Sequence, residues 1–223
     1  MEQKNEEKNT NIEDVISKSE LFIEQNQKTI ITAVVAVLVV AFAIFGFVKW
    51  YAQPRQEKAN NAIFGAEQYF ANSEYQLALD GNDQFAGFNE VAKRYGSTKA
   101  GKRAKYEAGL CYLHLGQYDE AIKQLNSYKG KDTFTKVIAV IAQADAELDL
   151  NNTKKAISLY DKAAKMDNNY VTAPFALFKE GMCYVIENNG AEAIKCFQQI
   201  KDNYPESAEY TTIDKYITWA ENL

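Results

Sequence analysis

The sequence predicts an all-α protein with one N-terminal transmembrane helix, followed by an α-solenoid of about four helix pairs and a C-terminal capping helix. Three observations carry the prediction. Ile30 to Val48 reads IITAVVAVLVVAFAIFGFV, nineteen residues without a charge. The chain has only three prolines and is rich in Ala, Lys, Glu, Gln, Leu and Tyr, which favours helices over sheets. A pattern of small and large apolar residues also returns at near-constant spacing after residue 100, the mark of stacked supersecondary units.

Residues 1–11 are charged and polar without apolar periodicity and are expected to be disordered. Residues 12–28 form an expected amphipathic helix, with Ile12, Val15, Ile16, Phe22 and Ile23 near one side. It either docks on a partner or simply leads into the membrane. It lacks the Lys/Arg-rich face of lipid-binding helices, which favours protein as the contact.

Residues 29–49 are the expected transmembrane helix. At about 1.5 Å per residue the apolar run covers roughly 28 Å, close to a hydrocarbon core of about 30 Å. Lys28, Lys49, Trp50 and Tyr51 supply the charged and aromatic groups expected at headgroup level. The run is longer than the apolar region of a removable signal peptide, and its one Ala-x-Ala, Ala41 to Ala43, lies inside it. Ala33, Ala36 and Ala43 fall on one side and offer a stripe where another membrane helix could approach.

Residues 50–223 make up the remaining domain, large enough for one core. After Pro54, the residues Ala59, Ala62, Ile63, Ala66, Tyr69 and Phe70 are spaced for a helix. A polar break from Leu79 to Gln84 precedes Phe88 and Val91, where the pattern resumes. Tyr106 to Leu125 then reads YEAGLCYLHLGQYDEAIKQL. Gly109 and Tyr112 stand in its first helix, Gly116 closes that helix, and Ala121 and Leu125 stand in the second. This resembles the tetratricopeptide repeat, in which two antiparallel helices meet at a small residue surrounded by large ones.

The frame recurs with Ala144, Glu147, Ala156 and Tyr160, and again with Gly181, Tyr184, Ala193 and Phe197. Ala121 to Ala156 spans 35 residues and Ala156 to Ala193 spans 37, against a repeat of about 34. Pro205 stands at the terminating-proline position of the last copy, and Asn168 replaces that proline in the middle one. A second echo pairs Phe88, Val91, Tyr95, Gly96 and Ser97 with Phe197, Ile200, Tyr204, Pro205 and Ser207. It makes residues 55–95 a degenerate first repeat. Residues 211–223 read as the closing helix, with Ile213, Tyr216, Ile217 and Ala220 turned to the last repeat.

Several chemistries are disfavoured. The net charge of −5 leaves no basic face for nucleic acid. Cys111, Cys183 and Cys196 show neither zinc nor disulfide spacing, and a single histidine, His114, removes His-based triads and multi-histidine metal sites. Gly96 to Arg103, GSTKAGKR, approaches a phosphate-binding loop but has Arg103 in the hydroxyl position and a helix where a strand is required. No enzyme activity, cofactor, metal or small-molecule substrate is expected. Glu147 is unusual, because the other copies carry Tyr112 and Tyr184 there.

The repeat implies a concave face built from its first helices. On it lie Tyr106, Leu110, Leu113 and His114, then Ile141, Asp145, Leu148 and Asp149, then Phe178, Met182, Val185 and Ile186. So many apolar members suit extended or partly unfolded polypeptide, although each could equally belong to the inter-helix core.

Taken together, Phe22 to Lys28 (FIEQNQK), the anchor and the F-x-x-[VI]-x-x-x-Y-[GP]-x-S echo resemble the bacterial ancillary subunit of the Sec translocon, the YfgM-like family of single-span tetratricopeptide repeat proteins. That resemblance implies a cytoplasmic N-terminus, a periplasmic domain at the bacterial inner membrane, and partners among translocon subunits, periplasmic chaperones and exported polypeptides. Charge does not decide the topology, since Lys18 and Lys28 oppose Lys49, Arg55 and Lys58. The alternative is a single-span scaffold or receptor with its repeats in the cytoplasm and no role in export.

Overall fold

In a computed structural model, the backbone is described for residues 2–223, and the side chains for residue 22 and residues 24–223. The chain divides into two units, Met1–Pro54 and Arg55–Leu223. Each is described by itself.

The first unit is dominated by helix α1, Glu2–Phe47. The backbone is helical where disorder was expected for residues 1–11; Met1 lies outside the described residues. Glu, Gln and Lys tolerate a helix well, and extending one costs far less than nucleating it. The expected amphipathic face of Ile12, Val15, Ile16 and Ile23 lies outside the described side chains, while Phe22 is exposed.

The α1 helix is long and apolar enough to cross a membrane. Its side chains from Ile30 to Val48 are exposed, apart from Gly46. Thr32 satisfies its hydroxyl by donating to Lys28 O at 2.8 Å, so the one polar side chain in the run needs no outside partner. A π-helical turn, Val48–Ala52, carries Lys49, Trp50 and Tyr51. There Gln53 N donates five residues back to Val48 O, and Pro54, which has no N–H to give, follows in the next turn.

The second unit begins within α2, Gln53–Ala71, and continues with α3, Tyr75–Asp80, and α4, Phe88–Tyr95. Between α3 and α4, β1 (Gly81–Asn82) pairs antiparallel with β2 (Phe85–Ala86). This hairpin occupies the polar break read in the sequence. Asn82 Oδ1 accepts from Gln84 N at 2.9 Å and from Phe85 N at 3.2 Å, and Phe85 then stacks on Tyr69 at 4.7 Å.

Three helix pairs follow. They are α5 (Lys99–His114) with α6 (Tyr118–Asn126), α7 (Thr133–Asp149) with α8 (Thr153–Met166), and α9 (Thr172–Ile186) with α10 (Gly190–Asn203). The 3-10 turn Glu209–Thr212 leads to the closing helix α11, Ile213–Glu221. From α4 onward each helix packs on the next in sequence, as expected for a solenoid.

One device closes the first helix of every pair. Ser73, Gly116, Asn151 and Asn188 have φ of 63°, 71°, 60° and 54°, the left-handed region that ends helices. The next amide donates back across the turn, Glu74 to Tyr69 O, Gln117 to Tyr112 O, Asn152 to Glu147 O and Asn189 to Tyr184 O, all at 2.8–2.9 Å. Four such turns independently mark four pairs, with α3 and α4 sharing the second-helix role in the first.

Hydrophobic burial is distributed along the stack. One cluster joins α2 to α5 around Ile63, Leu79, Phe88 and Val91. Small clusters then follow around Leu125, around Val137 and Tyr160, and around Phe197 and Ile200. In each of the last three pairs a small residue faces a large one, and Gly109 packs on Leu125 and Gly181 on Phe197. Ile213 and Ala220 are buried in the final cluster, with Tyr216 and Ile217 packed against it, so α11 covers the last pair.

The second echo needs one correction of register. Ser207 Oγ accepts from Tyr210 N at 3.3 Å, and its counterpart is Thr98, whose Oγ1 accepts from Gly101 N at 3.0 Å, rather than Ser97. Both stand three residues after the echoed tyrosine; Thr98 caps α5, and Ser207 bonds to the 3-10 turn that leads into α11. Within GSTKAGKR, Gly96 to Thr98 form the corner between α4 and α5 and Lys99 to Arg103 begin α5; at Gly101 a Cβ would lie 2.0 Å from Tyr95 O.

Candidate functional site

The first helices α5, α7 and α9 carry the expected face, and the structure divides its members by burial. On α5, Tyr106, Leu110 and Leu113 are half-buried against Leu125, Ala139 and Ala142 of α6 and α7. Tyr106 also lies 5.6 Å from Tyr128 between ring centres. His114 is exposed and stacks flat on Tyr75 of α3 at 4.3 Å.

On α7, Ile141 is buried in the core, Leu148 is half-buried and Asp149 is exposed. Asp145 accepts from the Tyr160 hydroxyl of α8 and pairs with Lys179 of α9 at 3.0 Å, so it ties three helices together. Burial, reinforced by Asp145, pushes the Tyr160 hydroxyl well above its ordinary pKa.

On α9, Phe178 packs between Phe197 at 6.0 Å and Tyr216 of α11 at 4.7 Å, with Met182 in the same cluster. Val185 is buried and Ile186 is 60% exposed. Ile141 and Val185 thus hold helices together, whereas His114, Asp149 and Ile186 are open to a partner. In the first unit, Ala33, Ala36 and Ala43 are all exposed.

Ion pairs stitch neighbouring first helices. Arg103 of α5 pairs with Glu67 of α2, and Lys179 of α9 pairs with Asp145 of α7. Arg103 Nε is also 3.7 Å from Glu107 Oε1, while Glu107 Oε2 is buried without a hydrogen-bond partner. Burial lifts the Glu107 carboxyl to about 7, opposed by Arg103. Sequence reasoning passed over Glu107, although its place four residues after Arg103 put both on one helix face. Burial, then the Asp161 charge, likewise lifts Glu180 to about 7.

The unusual Glu147 is satisfied locally. It is 1% exposed, pairs with Lys155 of α8, and accepts from Asn152 Nδ2 at 2.9 Å. These two neighbours replace the solvent that a buried carboxylate gives up. The thiols are buried and free; burial lifts Cys111 to about 12 and Cys183 to about 11, and it raises Cys196 as well. Among the described residues no group of His, Cys, Asp or Glu side chains could hold a metal.

The tetratricopeptide repeat family model matches residues 88–134 and 141–208, together 115 of the 223 residues. The chain belongs to the tetratricopeptide repeat family. The matched spans take in α4 to α6 and nearly all of α7 to α10, and Gly109, Ala121, Ala156 and Gly181 all lie within them. Helices α2 and α3 fall before the first matched span, in the part of the chain whose repeat pattern is degenerate in sequence. No curated protein matches the chain. The tetratricopeptide fold is a protein-interaction scaffold, and stacked first helices present a ready surface for a polypeptide.

Proposed function

We propose that the chain is a membrane-anchored tetratricopeptide repeat adaptor associated with the protein-export translocon, which it links to periplasmic chaperones or exported clients. The observation that carries the reading is a repeat stack in which His114, Asp149 and Ile186 are exposed on the first helices, joined in sequence to a helix of membrane-crossing length. The export context rests on the likeness of FIEQNQK, the anchor and the tyrosine echo to the YfgM-like family. The work assigned to the chain is binding, with α1 holding the repeats at the bacterial inner membrane and the domain in the periplasm.

Photocrosslinkers at His114 and Ile186 in the full chain are expected to label translocon subunits, chaperones or exported polypeptides in intact cells. Ile186→Glu, an exposed change, should lose the label while the chain stays helical and in the membrane. Labelling confined to cytoplasmic proteins would refute the reading.

A second reading, a scaffold with its repeats in the cytoplasm, is favoured by the three free cysteines, which suit a reducing compartment. Membrane-impermeant thiol labelling of one engineered cysteine in the tail and one after Leu223 separates the two. External labelling of the tail alone would place the repeats in the cytoplasm and refute the periplasmic reading.

A further inference from the structure

The second helix of the α5–α6 pair is short. Helix α6 has nine residues where α8 and α10 have 14 each. The ground that a longer α6 would cover is left as a cavity of about 400 Å³, bounded by the 127–132 connection and by α7 and α8. That volume is within the usual range for ligand pockets. The connection is shaped to its place, since a Cβ on Gly130 would stand 1.9 Å from the Tyr128 hydroxyl.

The cavity's charge is opposite to that of the chain as a whole. Lys129, Lys136 and Lys162 line it, and no Asp or Glu does. None of the three lysines makes an ion pair among the described residues, although nine other pairs occur. Asp132 is a nearby carboxylate and attracts Lys136, but it accepts from Thr135 N at 2.7 Å and from the Thr135 hydroxyl as the cap of α7. Gln143 also lines the cavity; the residue is 8% exposed, its side chain makes no hydrogen bond among the described residues, and its amide is open to the cavity rather than sealed in the core. Beside it, Ala139, Val140 and Met166 provide an apolar wall.

We infer that this cavity binds an acidic polypeptide segment, with carboxylates on Lys129, Lys136 and Lys162, one carboxylate oxygen accepting from the Gln143 amide, and a neighbouring apolar side chain on Val140 and Met166. The inference rests on the polypeptide-binding reading and adds a site away from the first-helix face, one that selects for negative charge. Lysines act here as separate point charges and suit carboxylates spaced along a chain, whereas bidentate recognition of one compact anion favours arginine.

The test uses the full chain in neutral detergent and fluorescence polarisation of two labelled peptides, one alternating leucine with glutamate and the other leucine with glutamine. The glutamate peptide should bind at least tenfold more tightly, and the advantage should shrink with salt. The double variant Lys136→Gln, Lys162→Gln and the single variant Gln143→Leu should each lose tenfold or more, while Lys136→Arg with Lys162→Arg keeps most of the binding. Binding within twofold of the parent in either the double Lys136→Gln, Lys162→Gln variant or the Gln143→Leu variant would overturn the site. If Ile186→Glu alone then weakens the peptide, the first-helix reading survives and only this inference fails. If neither peptide binds the parent, the polypeptide reading fails with it. Displacement by millimolar inorganic phosphate, with no effect of equal sodium acetate, would assign the cavity to free phosphate and overturn the inference.

Discussion

Replacing Gly181 by alanine tests whether helix pairing in this protein rests on backbone-close contact. A Cβ there would lie 2.4 Å from Phe197 Cε1 and 2.8 Å from Cζ, about 1 Å inside ordinary contact. The Phe197 ring is fully buried and bounded by Phe178 at 6.0 Å and Tyr216 at 5.8 Å, so its displacement passes to α11. Overpacking of this kind costs about 1–3 kcal/mol, and a stiff ring belongs in the upper half of that range. Against it, alanine in a helix interior regains about 1 kcal/mol over glycine. The expected net loss for Gly181→Ala is about 1–2 kcal/mol, or a Tm lower by roughly 2–8 °C for a chain of this size.

The other copies supply controls. At Gly109 the obstructing atoms are Leu125 Cγ at 2.6 Å and Cδ2 at 2.8 Å, with Leu125 N at 3.3 Å, and Leu125 is buried, so Gly109→Ala should destabilise by a similar amount to Gly181→Ala. At the matching place in the middle copy Ala144 is already present and fully buried, and Ala144→Gly should itself cost about 1–2 kcal/mol. Urea unfolding of the chain in detergent, followed by helical circular dichroism, gives all three. Adding Phe197→Leu should remove most of the Gly181→Ala penalty in a double-mutant cycle. A Gly181→Ala protein more stable than its parent would show alanine's helical preference prevailing without a clash, and would refute the pairing argument.

Two further predictions concern buried titratable groups. Because Glu107 holds its proton up to about pH 7 when folded, against an ordinary 4.5, its contribution to stability is full below about pH 4.5 and is lost as pH rises through 7. At about 1.4 kcal/mol per pH unit, Glu107→Gln should gain up to about 3 kcal/mol over the parent at pH 8 and almost nothing at pH 4.5; a difference independent of pH would refute the burial of this carboxyl. With Cys111 and Cys183 lifted to about 12 and 11 and Cys196 raised too, all three thiols should resist maleimide in the folded protein and react in urea, as read by intact mass. Rapid labelling of Cys111 without denaturant would contradict its place in the α2–α5 core.

The amino-acid sequence by itself determined the apolar helix and the repeat frame. Nineteen uncharged residues, apolar but for Thr32, are a length, and length against a bilayer is a one-dimensional comparison. The Gly109–Leu125 and Gly181–Phe197 pairs are also legible, because a pair of consecutive helices forces a fixed spacing between a small residue and the large one it meets. Ser73, Asn151 and Asn188 were harder to read than Gly116, since only glycine advertises a left-handed turn while serine and asparagine occur in many settings.

Only the tertiary structure decided which residues on the first helices face a neighbour and which face outward. Ile141 and Ile186 are the same residue type in the same expected stripe, yet one is 3% and the other 60% exposed. Ile141 lies mid-helix with further pairs stacked on both sides, whereas Ile186 is the final residue of α9, in the last pair. The partners of charged groups were equally hidden. Lys179 meets Asp145 across 34 residues, and Glu147 finds Lys155 only because α8 folds back along α7. The cavity over Gln143 arises from five residues missing from the end of a helix, a shortfall that acquires meaning only when the neighbouring helices are in place. Helical periodicity is local and can be read along a chain; the environment of a side chain is set by elements that arrive from elsewhere in it.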